Sequence, residues 1–172
     1  EPVNEPEVIT DVKLIFTNDA DANDVVEARA QDPDGEGVEE LRILDDITLK
    51  VNTTNTLTYE VLNSLVTPAE DIGAEILEED DEHQIFFSFT EGAFTSPTGN
   101  GNIDTASDPI NYNDTDDNNR PVGLHTTWTT SATAIDGTFT AKLQHQPDVK
   151  TDTSGATDGD TDFDLTFTLK VQ

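Results

Sequence analysis

Residues 78–89, EEDDEHQIFFSF, join an acidic run to an apolar run through a single histidine. From His83 onward, every second residue (Ile85, Phe87 and Phe89) is large and apolar. Side chains along a β-strand alternate between its two faces, so this spacing predicts a strand with one face on a hydrophobic core. His83 continues the core-facing row into the acidic end of the strand. A histidine at the edge of a core, beside several carboxylates, is therefore expected here.

The same alternation recurs along most of the chain. Besides residues 83–89, it predicts strands at residues 12–16, 26–30, 47–51, 57–61, 124–134, 139–145 and 163–171, and residues 41–44 are an optional short strand. One short helix is predicted at residues 68–77, with Pro68 in the first helical position. Seven to eight strands with one helix predict an all-β fold, an antiparallel β-sandwich that is immunoglobulin-like in the broad sense. A closed barrel is the alternative.

Two predictions concern the second half of the chain. Asp136-Gly137 separates two alternating runs and predicts a tight hairpin turn. That register would place Trp128 opposite His145 on the apolar face, where Trp128 is either a platform for a flat ligand or an ordinary core residue. Residues 90–121 show no clear strand pattern, and a loop of this length is usually functional or disordered.

The composition restricts the partners of this protein. The chain of 172 residues has 37 acidic and 8 basic residues, a formal net charge of −29. Such a field repels nucleic acids and anionic membrane surfaces and suits cations, cationic ligands or a basic protein surface. Solubility in salt is the alternative reason for so many acids. The chain has no cysteine, which excludes disulfides and thiolate zinc sites.

The N-terminal stretch EPVNEPE, residues 1–7, has no strand or helix pattern. We interpret it as an acidic tether, and residues 8–172 as a single β-sandwich domain. Residue 1 is Glu and no apolar segment approaches the ~20 residues of a membrane helix. We therefore expect the mature or trimmed form of an exported protein.

The histidines suggest a transition-metal site. His83 and His145 both extend apolar rows to a strand end, and Glu79, Asp81 and Glu82 would add carboxylate oxygens to the imidazole nitrogens. Zinc and copper accept this combination of ligands. Packed, hydrogen-bonded histidines are the alternative. Simple up-and-down strands would place the two histidines at opposite ends of the sheet, so a shared site requires an additional reversal of the chain.

A calcium site is a second metal hypothesis. The stretch NYNDTDDNN offers oxygen ligands from Asn111, Asp114, Asp116 and Asp117. It lacks the glycine and terminal glutamate of an EF-hand, and Asn and Asp also simply favour turns. No nucleophile elbow, zinc-protease motif or phosphate loop is present, so we expect no enzymatic activity.

Four stretches carry a resemblance to a protein family: residues 32–63, 72–89, 110–130 and 143–151. They resemble small exported lipoproteins of Bacteroidota that are found beside TonB-dependent transporters and often labelled type 1 periplasmic binding fold proteins. The resemblance implies an outer-membrane or cell-surface lipoprotein whose lipid anchor has been removed with the leader. It also implies a TonB-dependent transporter or another outer-membrane complex as partner. The label implies an α/β fold, whereas the alternation predicts an all-β fold.

Three functional hypotheses follow. The first is a non-catalytic lipoprotein that binds a nutrient, such as a metal ion, for a TonB-dependent uptake system. The second is a structural subunit that docks on an outer-membrane complex without a small ligand. The third is a glycan-binding module that uses Trp128 and the loop of residues 90–121. Clustered histidines and carboxylates would favour the first hypothesis, and an exposed Trp128 would favour the third.

Overall fold

The computed structural model describes residues 7–32, 34 and 40–172. The predicted all-β fold with one short helix is confirmed: two sheets form a sandwich. The strands in chain order are β1 (Asp11–Asn18), β2 (Asp21–Gln31), β3 (Arg42–Ile43), β4 (Ile47–Leu49), β5 (Thr54–Asn63), β6 (Glu70–Asp71), β7 (His83–Phe89), β8 (Phe94–Ser96), β9 (Thr126–Thr130), β10 (Ile135–His145) and β11 (Asp160–Val171). Strands β6 and β8, with two and three residues, lie where no strand was predicted.

The first sheet has the order β3-β2-β1-β5-β9-β8, with β6 also paired to β5. The second has the order β4-β11-β10-β7. All pairs are antiparallel except β4 and β11, which run parallel, so the prediction of a purely antiparallel sandwich is corrected at this pair. The strands form two separate sheets and not one closed barrel.

An aromatic cluster joins the two sheets. Trp128 on β9 packs against Phe139 on β10 and Phe87 on β7, with ring centroids 4.9 and 5.1 Å apart. The Trp128 side chain is fully buried, and its Nε1–H donates to Thr126 Oγ1 at 2.8 Å. The prediction of Trp128 as a ligand platform is therefore wrong, because no face of the ring reaches solvent.

The predicted hairpin at Asp136-Gly137 is also wrong. Both residues lie inside β10, which pairs with β7 and β11, whereas β9 belongs to the other sheet. Glycine is required at position 137 because a Cβ atom there would collide with the Thr90 side chain. Close packing, and not a turn, explains this glycine.

The helix is shorter than predicted. Helix α1 (Ile72–Glu78) begins four residues after Pro68, and the Asp71 carboxylate caps it by accepting the Ala74 N–H. A 3₁₀ turn, Asp80–Glu82, connects α1 to β7. No helix in the described part of the chain is long and apolar enough to cross a membrane. The predicted tether, apart from Glu7, lies outside the described residues.

The long connection between β8 and β9 covers the outer face and edge of β7. Ile85 N–H donates to the Val122 carbonyl at 2.7 Å, and Phe87 N–H donates to Asn102 Oδ1 at 2.9 Å. Gly101 approaches Phe87 so closely that no Cβ atom would fit. Strand β7 is therefore buried on both faces, Gln84 and Phe86 included. The connection forms a lid over the strand that begins with His83.

Candidate metal site

The two strand-end histidines meet. His83 opens β7, His145 closes β10, and the antiparallel register pairs them directly. Their rings are stacked with centroids 4.6 Å apart and an angle of 5° between the planes, and both side chains are buried. The additional reversal that a shared site requires is provided by β8, which is paired antiparallel to β9 in a stretch where no strand was predicted.

A β-bulge brings a carboxylate to the histidine pair. Between Leu143↔Phe163 and Gln144↔Thr161, the β10–β11 register shifts and leaves Asp162 without a partner on β10. Strict alternation would point Asp162 away from the core, like Asp164. The bulge instead turns it inward, and its side chain has no exposed surface. Asp162 could not be predicted from the sequence, because no residue pattern in β11 marks the bulge.

The distances between these groups are longer than hydrogen bonds. His83 Nε2 lies 3.5 Å from Asp162 Oδ2, and His145 Nε2 lies 3.6 Å from Glu82 Oε2. The ligand atoms of Glu79, His83 and His145 lie within 4.8 Å of one another. A tetrahedral ion with bonds of about 2.0–2.2 Å separates neighbouring ligand atoms by about 3.3–3.6 Å. Within each of the two pairs, the nitrogen–oxygen distance is therefore close to the separation of two ligands on one ion.

The buried polar atoms of this group lack hydrogen-bond partners. His83 Nε2, His145 Nε2 and both carboxylate oxygens of Asp162 are buried without one. An unpaired buried polar group costs about 1–3 kcal/mol, and a buried charge costs more. A cation placed among these atoms would remove this cost.

The orientation of the His83 ring is fixed. Its Nδ1 lies 3.0 Å from the Glu79 carbonyl oxygen. A carbonyl only accepts, so Nδ1 carries the proton and Nε2 faces Asp162. Burial by itself lowers the pKa of His83, but Asp162, the Glu79 carbonyl and the nearby negative charges outweigh it and raise the pKa above its usual value. A ring whose Nδ1–H binds a carbonyl presents Nε2 as a metal ligand.

Further carboxylates surround the group on its solvent side. Glu79 is exposed, and the Glu82 side chain is 31% exposed. Burial, a hydrogen bond with Glu75 and the charges of Glu75, Asp162 and Glu79 raise the pKa of Glu7 to about 7. Negative charge is therefore concentrated beside the histidines.

Asp81 does not belong to this group. It lies exposed in the 3₁₀ turn, on the side of Lys150, and its charge acts on that residue. The prediction of Asp81 as a metal ligand is corrected, whereas Glu79 and Glu82 lie beside the histidines as expected.

The predicted calcium loop is occupied by internal contacts. Asp114 accepts the backbone N–H groups of Gly123 and Leu124, and Asn111 Nδ2 donates to Ser96 Oγ and the Thr127 carbonyl. Asp116 accepts two backbone N–H groups and pairs with the Lys150 ammonium at 2.9 Å. Asp117 is exposed. These four residues do not form an open oxygen site, and the Lys150 ammonium already supplies the positive charge.

The Lys150 ammonium that pairs with Asp116 is itself buried. Lys150 Nζ also donates to the carbonyls of Asp80 and His83, both at 2.8 Å. Burial lowers the pKa of Lys150, an effect that Asp116 partly offsets. Burial would raise the pKa of Asp116, but the Arg120 N–H and Lys150 lower it below its usual value. Each group therefore favours the charged form of the other.

Comparisons with known proteins give no further guide to the site. No protein-family model, curated protein or solved structure matches this chain.

Proposed function

We propose that this protein is a non-catalytic binding domain for a divalent transition-metal ion, zinc or copper. His83, His145 and Glu79, whose ligand atoms lie within 4.8 Å of one another, bind the ion, with Asp162 beside His83 and Glu82 beside His145 as further oxygen ligands. The observation that carries the proposal is the group of four buried ligand atoms without hydrogen-bond partners. Imidazole nitrogen with carboxylate oxygen suits zinc and copper, whereas calcium takes oxygen ligands.

The stacked rings define how the ion is accommodated. Parallel rings cannot direct two in-plane nitrogen lone pairs at one point, so one ring turns out of the stack when the ion binds. His83 is held through Nδ1 by the Glu79 carbonyl, whereas His145 Nε2 has no hydrogen-bond partner. His145 is therefore the ligand that moves.

The acidic surface supports the capture of cations. A net charge of −29 raises the local concentration of positive ions, and Glu79 and Glu82 lie where an ion arriving from solvent would first meet the site. Together with the sequence resemblance, this leads us to propose nutrient binding beside a TonB-dependent transporter, on an exported outer-membrane or cell-surface lipoprotein. The burial of Trp128 leaves the glycan hypothesis without its aromatic platform.

Calorimetric titration of the metal-free protein with Zn²⁺ and with Cu²⁺ tests the metal proposal. We expect about one ion per chain, and a loss of affinity of at least about 100-fold in His83→Ala, His145→Ala and Asp162→Asn. His125→Ala and Asp164→Asn are matched controls, because His125 is an exposed histidine next to β9 in the other sheet and Asp164 is exposed two residues after Asp162 on β11. Equal affinity in Asp162→Asn and Asp164→Asn would contradict the site. No binding of either ion would leave the docking subunit as the better hypothesis.

A further inference from the structure

Backbone carbonyls within residues 80–83 accept hydrogen bonds from a single segment, residues 146–150. Lys150 Nζ donates to the carbonyls of Asp80 and His83, and Gln146 N–H donates to the Glu82 carbonyl at 2.6 Å. These three hydrogen bonds span the backbone from the 3₁₀ turn to the first residue of β7. That backbone carries Glu82 and His83, two of the side chains assigned to the ion.

Lys150 is itself fixed in position. Its ammonium pairs with Asp116, and both side chains are almost fully buried, 1% and 0% exposed. Asp116 is held by the backbone N–H groups of Asn118 and Arg120. The Arg120 side chain returns to the Lys150 carbonyl at 3.0 Å and to Asp152 at 2.8 Å. The ammonium therefore has one defined location, set by the loop that carries Asp116.

We propose that Lys150 and Asp116 are positioning residues for the metal site. Neither touches the ion. The Lys150 ammonium fixes the carbonyl of His83, and so sets where the His83 ring and the Glu82 carboxylate stand relative to His145. Small displacements of ligands weaken metal sites, and partners outside the ligand shell typically account for 10–100-fold in affinity. The acidic loop of residues 111–119 thereby acts on the histidine site through Lys150, although it binds no ion itself. This inference rests on the proposed function.

The test removes both members of the Lys150–Asp116 ion pair. The double variant Lys150→Met/Asp116→Leu removes the ion pair without leaving either charge buried and unpaired. We expect Zn²⁺ affinity to fall about 10–100-fold and the visible spectrum of the Co²⁺-loaded protein to change, since the ligand geometry alters. Urea unfolding of the metal-free variant separates this effect from a loss of stability. Lys170→Met, which removes an exposed ion pair, is the control and should leave affinity and spectrum unchanged.

Lys150→Arg is the second variant, in case the double variant does not fold. It keeps a positive charge beside Asp116 but presents a planar fork to the two carbonyls. We expect a several-fold loss of Zn²⁺ affinity. Wild-type affinity and an unchanged Co²⁺ spectrum in either folded variant would overturn the positioning role and leave the metal site intact. Absence of Zn²⁺ and Co²⁺ binding in the wild-type protein would instead contradict the proposed function itself.

Discussion

Two buried polar clusters meet at His83, one at its backbone carbonyl through Lys150 and the other at its imidazole ring through Asp162. On one side, Asp116 has the Lys150 ammonium at 2.9 Å and two backbone donors. On the other side, Asp162 has only His83 Nε2 at 3.5 Å, and neither of its oxygens has a hydrogen-bond partner. Both carboxylate side chains have no exposed surface.

The comparison separates a buried carboxylate that is paired with an ammonium from one that has only an imidazole nitrogen beyond hydrogen-bond distance. A buried carboxylate is stable when the protein supplies its own cation, and Lys150 takes that place for Asp116. Asp162 has only the imidazole of His83 beside it, and the ring of His83 is stacked on that of His145. The density of acidic residues is high in both places, and only the unpaired cluster indicates an external cation.

The largest expected difference in the free energy of unfolding is that between the variants Asp116→Asn and Asp162→Asn. Asp116→Asn leaves Lys150 buried without its counter-charge and should lower the free energy of unfolding by about 3–5 kcal/mol. Asp162→Asn removes a charge that lacks a full partner, and in the presence of a chelator it should change that free energy by no more than about 1 kcal/mol. Urea unfolding of both variants measures the difference. Equal losses would show that the two clusters are equivalent.

Metal ions should stabilise the protein through the histidine cluster only. At a free Zn²⁺ concentration of about 100 times Kd, linkage gives about 2.7 kcal/mol, which raises Tm by about 5–10 °C for a chain of this size. His83→Ala should abolish the shift, and His125→Ala should retain it. A Tm shift that survives in His83→Ala would move the site elsewhere.

The metal-free protein should become less stable as pH rises from about 5 to above 7. The folded-state pKa of Glu7 is raised from 4.5 to about 7, and that of His83 is raised above 6.5. Each group binds its proton more tightly when folded, so its contribution is complete below the unfolded pKa and is lost as pH rises through the folded pKa. Zn²⁺ should reverse this trend, because metal ligands must be deprotonated. Thermal melts across this pH range, with and without Zn²⁺, would measure the two opposite trends of Tm with pH. A Tm of the metal-free protein that rises with pH would contradict the pH dependence expected from the raised pKa values of Glu7 and His83.

The smallest expected effect concerns an exposed ion pair, which can be compared with the buried pair of Lys150 and Asp116. Lys170 pairs with Asp46 at the surface at 2.8 Å, the same kind of contact that Lys150 makes when buried. Lys170→Met should change the free energy of unfolding very little, because water screens the exposed pair. Lys150→Met should cost several times as much in the same urea experiment. Similar costs would show that burial does not distinguish the two pairs.

Much of the fold was predictable because period-two alternation reports burial directly. The strands around Phe16, Leu57, Phe87 and Phe167 follow it, and their inward residues form the observed core. Alternation does not report pairing. The Asp136-Gly137 sequence predicted a turn, but Gly137 lies within β10 because it packs against Thr90.

The candidate metal site was predictable only in part, because alternation reports burial and not which strands pair. His83, His145, Glu79 and Glu82 were recognised from their place at the acidic ends of apolar rows. The meeting of the two histidines depends on β8, a strand of three residues that is too short to leave a pattern. Asp162 depends on a bulge that reverses the face expected from alternation. Lys150 depends on contacts between segments distant in sequence, about which a local pattern carries no information.

The most direct test of the metal site is the X-ray absorption spectrum of the Zn²⁺-loaded protein at the zinc edge. The account predicts two imidazole nitrogens and carboxylate oxygens at about 2.0–2.2 Å, with the multiple scattering that imidazole rings produce. Asp162→Asn should alter the oxygen shell and keep the imidazole signal, and Asp164→Asn should leave both unchanged. A shell of oxygen atoms without imidazole scattering would show that zinc binds the acidic surface, and it would contradict the histidine site.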